Sequence, residues 1–311
     1  MGRTIVSSSP TFGRYSDAPL RLLHDAGCDV ALLERGDREA LAAALPRASA
    51  WIAGFEPVDA STLDAAPHIR VVAKCGAGMD NFDMEYLAAR GIAAVNVPGG
   101  NSGAVAEYTI GQILALARGV ARNDGAVRAG AWKPTVGQGL DGRVLGIVGF
   151  GAIGRRVAAL AVPFGMQVVV ADPLADPDAL AEHGAQAVAL PELLARADVV
   201  SLHVPLTEGT RHLIGAAELA SMRPGSLLVN DSRGGIVDET ALVGALVDGR
   251  LAGAALDVFE REPLPADSPL RDAPNLLLSS HTAGYSDTAL AVVTMRCAQS
   301  LLERLDAVPA R

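Results

Sequence analysis

A chain of 311 residues, half apolar and a fifth charged, exceeds the common single-domain size and predicts two globular domains with ample cores. The net charge of −9, without any cluster of Lys and Arg, excludes the electrostatic footprint of a nucleic-acid binder, so an anionic ligand has to be met by a local site. No run approaches eighteen uninterrupted apolar residues, which excludes a transmembrane helix, and Cys28, Cys75 and Cys297, odd in number and widely spaced, suggest neither a disulfide framework nor a metal site and fit a reducing cytoplasm.

The first residues, MGRTIVSSSP, read as a strand rather than a leader. They lack a long apolar stretch, and Gly2 is not followed by the Ser or Thr at position six of a myristoylation signal. Short β-rich runs then alternate with helical patterns: RTIVSS, PLRLLHDAG, CDVALLE, DREALAAAL, ASAWIAGF, IRVVAK, IAAVNV. Such alternation predicts βαβ units and a parallel sheet. The segment NSGAVAEYTIGQILALARGVARNDGAVRAGAW reads as one helix, long enough to span two domains. A second alternating series runs from RVLGIVGF through MQVVVAD, DVVSLHVP, SLLVND and LAGAALDVF to NLLLSSH, which reads as a buried strand. The closing helix, DTALAVVTMRCAQSLLERL, has no sheet of its own and is expected to pack back on the first domain. The expected fold class is therefore α/β, with two doubly wound parallel-sheet domains: a discontinuous one of residues 1–100 and 285–311, and an inserted Rossmann domain of residues 101–284.

In VLGIVGFGAIGRRVAALA, Gly149, Gly151 and Gly154 stand in the spacing GxGxxG between an apolar strand and a helix. The first permits the tight turn, the second lets a pyrophosphate approach the backbone, and the third lets the helix pack on the strand. The phosphates would then meet the unpaired N–H groups and the positive end of the helix, giving an acidic protein its local anion site. The next strand, MQVVVAD, ends in Asp172, about twenty residues on, where a carboxylate can accept from both ribose hydroxyls. It would also repel a 2′-phosphate, and DPLADP offers no neighbouring cation to receive one, so NAD is expected rather than NADP.

Ligands of open parallel sheets bind beyond the carboxyl ends of the strands. Three residues there are chemically suggestive: Arg233 after SLLVNDS, Glu262 after AALDVFER and His281 after NLLLSS. Singly they have plain explanations, as a surface ion pair, a solvated loop residue and a turn cap. Together they suit reduction of a 2-oxo acid. Histidine can exchange the proton that accompanies a hydride, a carboxylate can orient and charge it, and an arginine can grip the substrate carboxylate.

With these motifs in order, the chain resembles the D-isomer-specific 2-hydroxyacid dehydrogenase family over nearly its whole length. The resemblance is carried by KCGAGMDNFD, ARGIAAVNVPGGNSGAVAEYTIG, GFGAIG with Asp172, SLHVPLTEGTRHLI, MRPGSLLVNDSRGGIVDETAL, GAALDVFEREP and HTAG. It implies that Arg233 binds the substrate carboxylate, that His281 is the proton donor in reduction and that Glu262 is its partner. It implies further that Ala152 and Ile153 form the phosphate-facing turn, that Val204 and Pro205 line the adenosine side, that Asp231 and Ser232 lie among the cofactor contacts, that Asp257 holds the nicotinamide carboxamide, and that Gly284 lets the backbone pass close to the ring. On the substrate side it implies the backbone amides of Gly76, Ala77 and Gly78, a turn that also suits an anion on physical grounds, with Asn101 at the domain junction; Lys74 is a candidate phosphate contact, or plainly a solvated strand-end lysine. The region 104–140, with Trp132, resembles the family's homodimer contact. No nucleic-acid, membrane or metal partner is expected.

Within the family the motifs are most similar to 3-phosphoglycerate dehydrogenase. Gly54, however, stands in WIAGFEPVDA where the resemblance calls for a phosphate-binding Arg, with Glu56 close by, so 3-phosphoglycerate and the unphosphorylated pair hydroxypyruvate and glyoxylate both stay open. Phosphite dehydrogenase shares DNFD but would have a lysine in place of Ala77. Two further departures are SSH, where a Pro commonly precedes the histidine, and Asp231, where a neutral residue is commoner. The chain ends soon after its last helix, so no regulatory domain is expected. A second reading is an NAD(H)-sensing scaffold similar to the C-terminal-binding corepressors, set apart from an enzyme by the lack of turnover.

Overall fold

The computed structural model describes residues 3–308, so Gly2 lies outside the described residues. Alternating apolar runs form β1 (Arg3–Ser7), β2 (Cys28–Leu32), β3 (Ala50–Ala53), β4 (Val71–Lys74) and β5 (Ala93–Val95), with α1 (Ala18–Asp25), α2 (Arg38–Ala44), α3 (Ala60–Leu63) and α4 (Met84–Ala89) between them. Then come α5 (Ser102–Arg118), α6 (Val120–Arg128), β6 (Val144–Val148), α7 (Ala152–Ala161), β7 (Gln167–Ala171), α8 (Pro177–Glu182), β8 (Gln186–Ala187), α9 (Leu190–Arg196), β9 (Val199–Leu202), α10 (Ala216–Ser221), β10 (Ser226–Asn230), α11 (Glu239–Val247), β11 (Leu251–Leu256), β12 (Leu276–Leu278) and α12 (Asp287–Ala307). The chain divides into two units, residues 1–101 with 285–311, and residues 102–284.

The first unit is a five-stranded parallel sheet in the order β2-β1-β3-β4-β5, and α12 returns to pack on α1, β4 and β5. Its central strands β1, β3 and β4 are largely buried on both faces, as a parallel sheet requires, while the edge strand β2 is mostly exposed. Along β3, Ala50 and Ile52 face one core with Leu23, Cys297 and Leu301, whereas Trp51 and Ala53 face another with Leu63 and Leu87. The second unit is a seven-stranded parallel sheet, β12-β11-β10-β9-β6-β7-β8, whose two faces are separated by the same alternation, Leu227 and Val229 on one side and Leu228 on the other. Acidic or hydroxyl caps start several helices: Asp37, Asp83, Asp238 and Ser286 each accept from the backbone N–H three residues on. Among the described residues no helix is long and apolar enough to cross a membrane, and the three cysteines are free thiols.

Two expectations are corrected. The long helical pattern is two helices, α5 and α6, both within the second unit, because Gly119 adopts a left-handed conformation at φ 60° and breaks the hydrogen-bond ladder. The apolar run Leu276–Leu278 is the edge strand of its sheet, with Leu278 37% exposed, rather than a buried strand; Leu276 and Leu277 pack against the cores on opposite faces, but among the described residues the strand pairs only on its β11 side. An alanine at position 119 has to hold the same left-handed backbone, so Gly119→Ala is expected to lower stability by about 1–2 kcal/mol, measured as an earlier urea midpoint with the fold retained.

Candidate active site

The glycine-rich turn fits a dinucleotide at each of its three glycines. Gly149 has φ 92°, and a Cβ there would come within 2.4 Å of the His203 carbonyl oxygen. A Cβ on Gly154 would lie 2.2 Å from the Gly149 carbonyl oxygen, so only glycine lets α7 start this close to β6. Gly151, the N-cap of α7, faces open space with nothing within 4 Å of a Cβ, which is the approach a pyrophosphate needs. Ala152 and Ile153 form the first turn of α7. Asp172, just past β7, accepts from the Phe150 amide at 2.7 Å and the Leu174 amide at 2.8 Å. Each oxygen keeps a lone pair, so the carboxylate both braces the turn and remains an acceptor for hydroxyls. Val204 and Pro205 follow β9, next to the His203 carbonyl that Gly149 touches. His203 itself is buried and neutral, its pKa brought down to about 4 by burial.

The strand order puts β10, β11 and β12 side by side, and Arg233, Glu262 and His281 follow their carboxyl ends. His281 Nδ1 and Glu262 Oε2 are 2.8 Å apart. Facing a carboxylate, Nδ1 carries the hydrogen. The other Glu262 oxygen accepts from the Phe259 amide at 3.1 Å. Burial raises the Glu262 pKa, but the hydrogen bond and charge of His281, the Phe259 amide and the charge of Arg233 outweigh it, and the carboxyl lies below its ordinary value. The pairing is thus retained above that lowered pKa and lost only as the pH falls through it. Arg233 Nη1 donates to the Ser232 carbonyl at 2.7 Å, and Asn230 Nδ2 donates to the Arg233 carbonyl at 2.9 Å.

Two residues that sequence reasoning underrated hold this cluster. A Cβ on Gly234 would lie 1.8 Å from the Phe259 carbonyl oxygen, so the backbone after Arg233 is pressed against the backbone leading to Glu262. The double glycine of SRGG was the available signal. Asp257, 1% exposed, accepts from Ser279 Oγ at 2.6 Å, the Thr282 amide at 2.8 Å and the Ala283 amide at 2.7 Å. Its carboxylate thus tethers the loop around His281, with a lone pair left on Oδ2. His281 is held at φ 55°, and its amide donates to the Asp257 carbonyl at 2.8 Å. Gly284 ends this loop.

Asp231 and Ser232 are likewise turned inward. Asp231 is 7% exposed and bonds to α5: Thr109 Oγ1 lies 2.7 Å from Oδ2, and the Gln112 amide nitrogen donates to Oδ1 at 2.8 Å and Oδ2 at 3.0 Å. Ser232, 8% exposed, donates through both its amide and its hydroxyl to Asn230 Oδ1. Both side chains are thus engaged within the fold.

In the first unit, Lys74 to Gly78 lie at the carboxyl end of β4, and Asn101 is that unit's last residue before α5. The Gly76 amide donates to the Lys74 carbonyl at 2.9 Å, which corrects its assignment as an anion donor. The amides of Ala77 and Gly78 have no such partner among the described residues. Lys74 Nζ donates to the Gly54 carbonyl and to Asn81 Oδ1 and lies over the Phe55 ring. A Cβ on Gly54 would lie 2.7 Å from the Ser8 carbonyl oxygen, and the Gly54 amide donates to Glu56 Oε2 at 3.2 Å. Among the described residues no group of His, Cys, Asp and Glu is arranged to hold a metal ion.

Comparison with known proteins finds relatives in one family. Residues 110–283 match the family model described as D-isomer specific 2-hydroxyacid dehydrogenase, NAD binding domain. A glyoxylate reductase of Korarchaeum cryptofilum is 42% identical over 253 residues, covering 79% of this chain and 76% of that protein. An (S)-sulfolactate dehydrogenase of Chromohalobacter salexigens is 46% identical over 232 residues, covering 74% of this chain and 75% of that protein. The crystal structure of a Thermus thermophilus protein, 33% identical, covers 99% of this chain and 98% of its own with a TM-score of 0.90. The contact at Gly234 gives a direct check on the cluster. Gly234→Ala has to displace the Arg233 loop by about an ångström or more and is expected to lower kcat/KM by about a hundredfold while NADH still binds.

Proposed function

The chain belongs to the D-isomer-specific 2-hydroxyacid dehydrogenase family and is an NAD-dependent oxidoreductase of 2-hydroxy acids, and on that footing we propose that it reduces a small, unphosphorylated 2-oxo acid with Arg233, Glu262 and His281 as its catalytic group. The observation that carries this reading is the 2.8 Å contact between His281 and Glu262 at the carboxyl edge of the sheet, with the charge of Arg233 acting on the same carboxylate. Gly149, Gly151, Gly154 and Asp172 hold the dinucleotide. When bound, NAD(H) supplies or takes up the hydride at C2 of the substrate. Arg233 grips the substrate carboxylate and polarises the adjacent carbonyl. With Nδ1 engaged by Glu262, the proton passes from His281 Nε2 to the carbonyl oxygen as that oxygen gains its electron pair, and returns along the same path in oxidation. Ionised Glu262 stabilises the imidazolium that donates it.

The first unit bears on the substrate. The crowding at Gly54 leaves no room for an arginine side chain, and Lys74 is tied to the Gly54 carbonyl and Asn81, which supports an unphosphorylated acid such as glyoxylate or hydroxypyruvate. A sulfonate-bearing acid is the second choice, favoured by the identity to a sulfolactate dehydrogenase. Steady-state NADH oxidation with glyoxylate, hydroxypyruvate, 3-sulfopyruvate and 3-phosphohydroxypyruvate tests this. The highest kcat/KM is expected for one of the first two, and a preference for the phosphorylated acid overturns the assignment of Gly54. His281→Ala is expected to lower kcat by about 10²- to 10⁴-fold without loss of NADH binding, and wild-type turnover by this variant removes His281 from the mechanism.

The homodimer reading rests on residues 120–136, where Val120 is 57%, Val127 44%, Trp132 89% and Val136 98% exposed. An apolar stretch of this kind is covered in a stable protein by a partner. Sedimentation of the wild type as a dimer at micromolar concentration, and of Trp132→Asp as a monomer, is the expected result.

A further inference from the structure

Resting on the NAD-dependent reading above, we propose that Asp231 is a positioning residue linked to the charge of the bound nicotinamide: the protein releases a proton from this side chain when it binds NAD⁺ and retains it when it binds NADH. The topology locates the residue. The glycine-rich turn and Asp172 follow β6 and β7 and assign that half of the sheet to the adenosine end, so the nicotinamide half of the dinucleotide belongs beyond β9 to β12. Asp231 directly follows β10, in the middle of that half.

Its surroundings accommodate either protonation state. Thr109 Oγ1 has a single hydrogen and two acceptors in range, the Val105 carbonyl at 2.9 Å and Asp231 Oδ2 at 2.7 Å. With Asp231 protonated, its O–H donates to Thr109, whose own hydrogen goes to Val105. With Asp231 ionised, the threonine hydrogen turns to the carboxylate and the Gln112 amide completes it. The helix end of this contact is therefore a two-state relay built from neutral groups. Asp257 lies at the end of β11, His203 at the end of β9 is neutral, Arg233 is turned to the Ser232 carbonyl, and Glu262 is paired with His281. Burial, followed by the Asp257 charge and opposed by the Thr109 and Gln112 hydrogen bonds, brings Asp231 up to about 7, where a new positive charge can tip it.

The sign follows from linkage. Reduction removes the positive charge of the nicotinamide ring, so only the oxidised coenzyme favours the ionised carboxylate. Affinity for NAD⁺ then rises with pH through 7, by about tenfold for each unit by which bound NAD⁺ displaces the Asp231 pKa, whereas affinity for NADH stays level. The test is calorimetric binding of each coenzyme to the whole protein at pH 7 in two buffers of different ionisation enthalpy, which counts protons. Wild type is expected to release up to about half a proton with NAD⁺ and none with NADH. Asp231→Asn, close in shape and able to keep the α5 contacts, is expected to bind both coenzymes and lose the Asp231 share of the release, while His281→Gln keeps it. Binding of NAD⁺ to the wild type without proton release, or a release unchanged in Asp231→Asn, overturns the proposal. Failure of both coenzymes to bind the wild type instead overturns the NAD reading on which it rests.

Discussion

A buried carboxylate with three donors sets the geometry on which the site depends. His281 sits at φ 55°, a left-handed conformation that an L-residue with a ring does not hold without about 1 kcal/mol or more of cost. The Asp257 side chain fixes the chain on both sides of it, through Ser279 before and Thr282 and Ala283 after, and the Asp257 carbonyl takes the His281 amide. With the loop so determined, the imidazole has one place to go, against Glu262. The ring orientation that acid–base chemistry needs is thus a property of strand β11 and its carboxyl end, not of the histidine alone.

The same edge of the sheet packs three consecutive strand ends with little slack. Gly234 lets the Arg233 backbone press on Phe259, and Phe259 in turn donates its amide to Glu262. Backbone contact rather than side-chain reach brings the arginine's field to the carboxylate. Such contacts do not adjust by rotamer changes, so the mutual placement of the three groups is fixed before any ligand arrives. The first unit solves the opposite problem at Gly54. There Ser8, Glu56 and Trp51 share hydrogen bonds so tightly that the position has little room for a side chain.

Residue patterns foretold the parts of this molecule governed by period and spacing. The alternation of strands and helices, the GxGxxG turn with Asp172, and the three polar residues after consecutive strands are each local patterns with one physical meaning, and the last became specific through the ordered motifs of the family. What the sequence left open depends on neighbours distant in the chain. Gly119 ends a helix within an otherwise unbroken pattern, where one glycine alone does not announce whether it bends or continues. Leu276–Leu278 reads as interior because hydrophobicity records packing on the two faces without saying that the strand is last in its sheet. Asp231 and Asp257 both stand at strand ends, where a carboxylate is naturally assigned to a ligand. Which way each points is decided by Thr109 and Gln112 on α5 in one case and by the loop after β12 in the other.

The contrast between those two carboxylates shows what donors do to a buried charge. Asp257 receives two backbone amides and a hydroxyl, donors fixed by the fold. Asp231 receives a hydroxyl that can reverse its direction and a single side-chain amide, in a site almost as buried. Fixed donors tie a loop in one geometry, while reversible ones leave the proton's residence to the surrounding charge. One sheet edge therefore holds, on adjacent strands, an acid suited to holding the loop of His281 and an acid whose state answers to what binds beside it.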